Sequence, residues 1–274
     1  MTQAVLDWNS ISGNYTDTLI LGNGASIACD TSFSYSSLLD VARANKTVDS
    51  KLEGVFDLLE TEDFELVLRT IWQAHRINVR LGNVRSGVGS QGVLGQAYEA
   101  IKQALIQSIN DVHPDRTGIE QHLSYIADFM THFRTVLSLN YDLIIFWAIM
   151  ERNSKLPGSL KDCFINGQFE PDYEFMRHNR STGKSSTLVF YPHGFLTLVS
   201  DLTGEKKMKS AGQNLLDRLA RYMRIATPIF VSEGTSEQKL RAIRRSDYLS
   251  AVYDKELRSD HESIAVYGWA VGEQ

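Results

Sequence analysis

The chain has 274 residues, 43% of them hydrophobic and 22% charged, with 28 Lys and Arg against 33 Asp and Glu. That composition belongs to a folded globular protein with a sizeable core and excludes a disordered or low-complexity chain. A net charge of -5 leaves no basic footprint for nucleic acid, and two cysteines, Cys29 and Cys163, are too few for a disulfide framework or a four-thiolate zinc site.

The N-terminus lacks a basic segment followed by an apolar run, and the longest apolar stretch, around Leu143 to Met150, is too short to span a bilayer. A cytoplasmic protein is therefore expected. Asp17 to Leu21 is a short apolar run ending in Gly22-Asn23-Gly24, which predicts a buried first strand entering a tight turn. Ser36 to Ala44 reads as a helix. From about Leu52 to Tyr125 the chain reads as mostly helical, on spacings such as Val55, Leu58, Leu59 and Ile101, Leu105, Ile109. Inside that stretch, Arg80 to Gly95 carries five glycines and predicts a long, mobile loop.

Strand signals return at Thr135 to Leu139, followed at once by an apolar helix from Asp142 to Glu151. Thr187 to Tyr191 and Phe195 to Val199 are two β-rich runs around Pro192-His193-Gly194, and Asp201 to Glu205 is a turn candidate. A basic helix is expected over Lys209 to Arg224, a strand at Pro228 to Val231, a helix from Glu237 to Tyr253, and a last strand at Ser263 to Tyr267. Strands alternating with helices predict an α/β fold, a mostly parallel sheet covered on both faces. The chain reads as a single domain over 1–274, with a largely helical insertion, about 46–132, after the first strand.

Three motifs fall directly after apolar strands. Gly22-Asn23-Gly24-Ala25-Ser26 sits where such folds place a phosphate-binding loop, whose glycines admit close approach and whose amides face an anion. It is not the G-x-G-x-x-G fingerprint, since Ile27 follows Ser26 and no third glycine comes. Asn140-Tyr141-Asp142 and His193-Gly194 follow two later strands. Each alone is as readily a turn; together, on a parallel sheet, they would converge on one crevice at the carboxyl ends of the strands.

These motifs carry a resemblance. Leu21-Gly-Asn-Gly-Ala-Ser26, Ser138-Leu-Asn-Tyr-Asp142, Tyr191-Pro-His-Gly194 and Val266-Tyr-Gly-Trp-Ala270 together resemble the SIR2-like (sirtuin) superfamily, and within it the bacterial SIR2-like proteins of phage defence. The resemblance implies a Rossmann-like domain that binds NAD as its substrate. It implies that Asn140 and His193 are the catalytic pair, that Gly22, Asn23, Gly24, Ala25 and Ser26 form the cofactor loop, and that Gly268 and Trp269 lie on its adenosine side. Phe33, in the stretch from about Asp30 to Ser37, would cover the nicotinamide. Asp142 is either a nicotinamide amide acceptor or a cap for the helix that follows.

Sirtuin deacylases carry a four-cysteine zinc module, whereas this chain has no cysteine after Cys163. The histidines show no metal-ligand spacing either, so no metal is expected. The sirtuin-type arginine near Phe33 is missing, and relatives continue past the last strand where this chain stops at Gln274. The expected activity is hydrolysis of the nicotinamide–ribose bond, giving nicotinamide and ADP-ribose, in antiviral defence by NAD depletion. The resemblance further implies a homo-oligomer and a defence partner such as an ATPase, with neither membrane nor nucleic acid bound directly. The alternatives are a non-catalytic NAD or ADP-ribose sensing module and an NAD-dependent protein deacylase.

The remaining constellations are weaker. Glu60, Glu62, Asp63 and Glu65 read as a solvated face, and Arg218, Arg221 and Arg224 as an exposed basic one. Trp72, Trp147, Tyr125 and Phe129 read as core.

Overall fold

The computed structural model describes residues 5–62, 64–82, 92–113, 116–179, 182–201, 204–208, 218, 227–231 and 236–269. After a first helical turn, Trp8–Ile11 (α1), come the strand Thr18–Leu21 (β1) and the helices Asn23–Ile27 (α2), Tyr35–Ala44 (α3), Ser50–Leu58 (α4), Phe64–Arg80 (α5), Val93–Val112 (α6) and Arg116–Met130 (α7). Thr135–Ser138 (β2) and Ile144–Lys155 (α8) follow, then the short strands Leu160–Lys161 (β3), Phe164–Ile165 (β4) and Gln168–Phe169 (β5). Thr187–Phe190 (β6), Gly194–Asp201 (β7), Gly204–Lys207 (β8) and Thr227–Phe230 (β9) come next. The helices Ser236–Ile243 and Asp247–Val252, a π-helical turn at Tyr253–Leu257 and the strand Ile264–Tyr267 (β10) complete the described chain.

The chain forms two compact units. The larger comprises Met1–Cys29, Pro114–Ile229 and Ser246–Gln274. It is built on a five-stranded sheet in the order β10-β1-β2-β6-β3, parallel throughout. Every residue of β2 and β6 is buried, as central strands of a sheet covered on both faces must be. Helix α8 follows β2 directly and buries Ile144 to Ile149 without interruption. The expected α/β architecture with a parallel sheet is the one observed.

The second unit, Asp30–His113 with Phe230–Arg245, is helical. Helix α6 packs on α3 and α5, and Ile101, Leu105 and Ile109 are buried as their spacing predicts. Leu58, however, is 79% exposed, while its neighbour Phe56 is buried edge-on to Phe64 at 5.1 Å. Helix α7 groups with the sheet rather than with α3 to α6. Its Tyr125 is 77% exposed, so that aromatic is not core, whereas Trp147 of α8 is buried.

Other differences have simple causes. Strand β7 does not join the parallel sheet; it pairs antiparallel with β8 in a separate sheet of order β8-β7-β9. A parallel neighbour needs a crossover of roughly a dozen residues, and only the turn Tyr191-Pro192-His193 separates β6 from β7. The helix expected from Glu237 to Tyr253 is broken, because the Ser246 hydroxyl accepts from the Leu249 amide at 3.1 Å and starts a new helix. Strands β4 and β5 form a hairpin whose Asn166 and Gly167 both have positive φ, 54° and 88°. That is the Asn-Gly turn of tight hairpins. Close by, Lys207 pairs with Asp162 above the Phe146 ring, 4.8 Å from its centroid. The centre of the glycine-rich loop, residues 83–91, and most of the expected basic helix, including Arg221 and Arg224, lie outside the described residues. Among the described residues no helix is long and apolar enough to cross a membrane.

The π-helical turn buries Glu256, whose carboxylate accepts from the Tyr173 hydroxyl at 2.7 Å and lies 3.6 Å from Arg177 Nη2. Burial raises the Glu256 carboxyl above the usual glutamate range, against the opposing pull of Tyr173 and Arg177. A carboxyl that holds its proton more tightly when folded loses stability as pH rises from its unfolded value through its folded one. Glu256→Gln removes that slope. Thermal melts should therefore show the glutamine chain gaining on wild type as pH climbs from about 4 upward. A gain as pH falls would mean that Arg177 outweighs burial.

Candidate functional site

The parallel register brings the sequence motifs together. Leu21 of β1 is level with Ser138 of β2 and with Tyr267 of β10, and Leu137 is level with Phe190 of β6. The residues that follow these positions emerge side by side at the carboxyl edge: Gly268 after β10, Gly22 to Ser26 after β1, Asn140 to Asp142 after β2, and His193 after β6. Ligands of open parallel sheets bind outside this edge.

A hydrogen-bonded chain links two of the motifs across 116 residues of sequence. The Ser26 hydroxyl donates to Asp142 Oδ2 at 2.5 Å, and Asn140 Nδ2 donates to Ser26 Oγ at 2.8 Å. The other Asp142 oxygen accepts from the Ile144 amide at 2.8 Å, so Asp142 does cap the start of α8. All three side chains are buried, Ser26 at 2%, Asp142 at 4% and Asn140 at 5% exposure. An ionised carboxylate only accepts, so Ser26 must spend its single proton on Asp142. The serine can then only accept from Asn140, which turns the amide NH₂ toward Ser26. Asn140 Oδ1 is left buried with no hydrogen-bond partner among the described residues. Ser26 therefore has no proton for a phosphate; it orients Asn140 instead.

The glycine turn also differs from expectation. The Gly22 amide donates to Tyr267 O at 2.9 Å, the Gly24 amide to Gly268 O at 2.7 Å, and the Ala25 amide to Gly22 O at 2.9 Å. Three amides of the presumed anion cradle are thus taken by protein carbonyls. The glycines answer to another backbone. A Cβ on Gly22 would lie 2.6 Å from Gly268 O, and one on Gly24 would lie 2.8 Å from Gly268 Cα. Gly268 itself has φ +71°, and a Cβ there would meet Ala25 N at 2.2 Å. Asn23 opens α2, and Trp269, whose backbone borders Gly22, is 52% exposed.

His193 is half-buried in a turn closed by the Gly194 amide donating to Tyr191 O at 2.9 Å. Pro192 presets the first corner of that turn, and Gly194 supplies a positive φ of 80°. Phe33 belongs to the helical unit, where it is buried edge-on to His113 at 5.3 Å. Three tyrosines at the sheet edge are given no role by the sequence: Tyr141 and Tyr191, which lie inside the motifs, and Tyr248, which does not. Tyr141 stacks on His193, with ring centroids 6.4 Å apart and planes 28° apart. Tyr191 is wholly buried, with no partner for its hydroxyl among the described residues, and its amide donates to the Tyr248 hydroxyl at 2.9 Å. Burial holds both the Tyr191 and Tyr248 phenols well above their ordinary pKa. A tyrosine looks like any core residue in sequence, so only the motif positions of Tyr141 and Tyr191 carried a signal.

Two substitutions test this geometry. Ser26→Ala strands the Asp142 oxygen and the Asn140 NH₂ in a buried site and should cost about 1–3 kcal/mol in denaturant titration. Gly268→Ala combines a forbidden φ with a backbone clash and should cost more than about 3 kcal/mol or prevent folding. A Gly268→Ala chain of wild-type stability would show that the three-glycine contact is not made.

No curated protein matches the chain. One family model does, over residues 19–274, and that span holds β1 from its second residue, every strand-end motif and β10. The chain belongs to the family described as a domain of unknown function, DUF4917.

Proposed function

We propose that this chain is a SIR2-like NAD hydrolase that cleaves the nicotinamide–ribose bond to nicotinamide and ADP-ribose. The observation that carries the reading is Asn140 Oδ1, a buried carbonyl oxygen with a fixed direction and no partner among the described residues. Such an atom needs a donor. A ribose hydroxyl or an attacking water is a donor; a phosphate is not. A parallel sheet whose carboxyl edge gathers Asn140, His193 and the glycine turn supports a nucleotide crevice there.

In this reading the C1′–nitrogen bond breaks with its electron pair leaving on nicotinamide, and positive charge builds on C1′ and the ring oxygen. The Asn140 carbonyl points a fixed dipole, backed by the Asp142 carboxylate through Ser26, toward that charge and holds the incoming water. The water oxygen bonds to C1′, and its proton passes to His193, an acceptor suited to neutral pH. The bound substrate contributes the leaving group, and the protein contributes orientation and the proton acceptor. Two cysteines in the whole sequence leave no four-thiolate module, which favours water over an acyl-lysine as the acceptor of the ribosyl group. Cytoplasmic antiviral defence by NAD depletion, as a homo-oligomer or with an ATPase-type partner, extends the reading on the resemblance alone.

The test is nicotinamide release from NAD by the purified chain, with and without an acylated peptide, alongside a binding measurement. Release without peptide is expected, and Asn140→Ala and His193→Ala should each lower it about 100-fold or more. NAD binding without release would favour a sensing module, and release only with peptide a deacylase. No binding at all would end the NAD reading.

A further inference from the structure

Two buried side-chain atoms at the carboxyl edge need opposite partners. Asn140 Oδ1 can only accept, and Tyr191 Oη carries a proton to donate; neither has a hydrogen-bond partner among the described residues. Asn140 is 5% exposed and Tyr191 0%. The phenol keeps its proton, because burial first, and the neighbouring Tyr248 and Asp142 after it, hold its pKa well above the ordinary tyrosine value. A buried donor and a buried acceptor left in this state each call for a partner from outside the chain.

The fold ties the two residues to one scaffold. Strands β2 and β6 are neighbours with Leu137 level with Phe190, so Tyr191 leaves β6 one step after that level pair and Asn140 leaves β2 three steps after it. The Asn140 turn is fastened to β7 where the Leu196 amide donates to Tyr141 O at 3.0 Å. The Tyr191 ring stacks on the residue just before, Phe195, with centroids 3.9 Å apart and planes 21° apart. The Tyr191 amide donates to the Tyr248 hydroxyl at 2.9 Å. Backbone and ring are both held, so the phenolic oxygen has a fixed place, and only its proton turns to meet an acceptor.

We infer that Tyr191 Oη and Asn140 Oδ1 hold one hydroxyl oxygen between them, which accepts from the phenol and donates to the amide carbonyl. The chemistry of the pair selects that group. An ionised phosphate or carboxylate accepts from Tyr191 but has no proton for Asn140, and an ammonium donates to Asn140 but has no lone pair for the phenol. A water or an alcohol meets both demands with one atom. The inference rests on reading this edge as the NAD site, where the oxygen is either the attacking water or a ribose hydroxyl. In either case Tyr191 joins the residues that touch the reacting group.

Tyr191→Phe deletes the oxygen and keeps the ring, so the experiment compares it with wild type in nicotinamide release and in NAD binding. If the shared oxygen is the attacking water, kcat should fall about three- to tenfold with KM within about twofold. If it is a ribose hydroxyl, NAD affinity should fall by about the same factor. Either loss should shrink to less than about twofold in an Asn140→Ala background, because one oxygen serves both residues; Asn140→Ser makes the same comparison should the alanine chain not fold. A Tyr191→Phe chain with unchanged kcat and affinity overturns the inference, as does a loss that persists in full beside Asn140→Ala. A wild-type chain that neither binds nor cleaves NAD overturns the hydrolase reading instead. Water is then the shared oxygen, and the same cycle read in denaturant midpoints decides: effects that simply add overturn the sharing, and a non-additive pair upholds it.

Discussion

A buried carboxylate must be hydrogen bonded, and the way Asp142 meets that requirement sets the polarity of the whole sheet edge. It accepts from the Ile144 amide on one oxygen and from Ser26 on the other. The first contact fixes where α8 begins; the second leaves Ser26 an acceptor and turns the Asn140 amide so that its oxygen points away from the network. One charge, placed one residue before the capping position of a helix, therefore decides what kind of group the site can receive. A neutral residue at 142 would let the serine hydroxyl rotate and the amide flip, and the site would lose its preference for a donor.

The second constraint is steric. Strands β1 and β10 are adjacent and parallel, so their following turns leave the sheet at the same level. Gly22, Gly24 and Gly268 let these two turns touch backbone to backbone, and the amide-to-carbonyl bonds across the contact lock it. The result is a rigid platform beside Asn140. It is also an alternative account of a motif that sequence reasoning ties to phosphate. Glycines that admit a ligand and glycines that admit a neighbouring turn look identical in sequence, and only the position of Gly268 tells them apart.

That ambiguity marks the limit of what the sequence discloses. Strand positions were readable at Leu19 to Leu21, Thr135 to Ser138 and Thr187 to Phe190, because fully buried parallel strands appear as continuous apolar runs. Glycine, asparagine and histidine directly after those runs place the motifs at one edge of a parallel sheet. The two-residue strands β3, β4 and β5 are too short to generate a period, though Asn166-Gly167 was a hairpin signal in plain view. Helix α4 buries Phe56 and exposes Leu58 because apolar residues at 55, 56, 58 and 59 fit more than one face. The Ser26–Asp142 bond joins residues 116 apart and leaves no local trace. The stacking of Tyr141 on His193 is equally invisible, since the fold alone brings the rings together.

These observations redistribute the support for a nucleotide site. The glycine turn, the most familiar of the motifs, carries less of it, because its glycines and three of its amides are explained by protein neighbours. Asn140 carries more. A purely structural turn has no need to bury an amide oxygen that lacks a partner among the described residues, when a shorter side chain would leave nothing unsatisfied. A buried acceptor of fixed direction and a half-buried histidine, both at the carboxyl edge of one parallel sheet, suit a site that holds a hydroxyl and receives its proton. A simple dinucleotide-binding module could keep the platform and dispense with that pair, so catalysis is the part of the reading that the asparagine and histidine together favour.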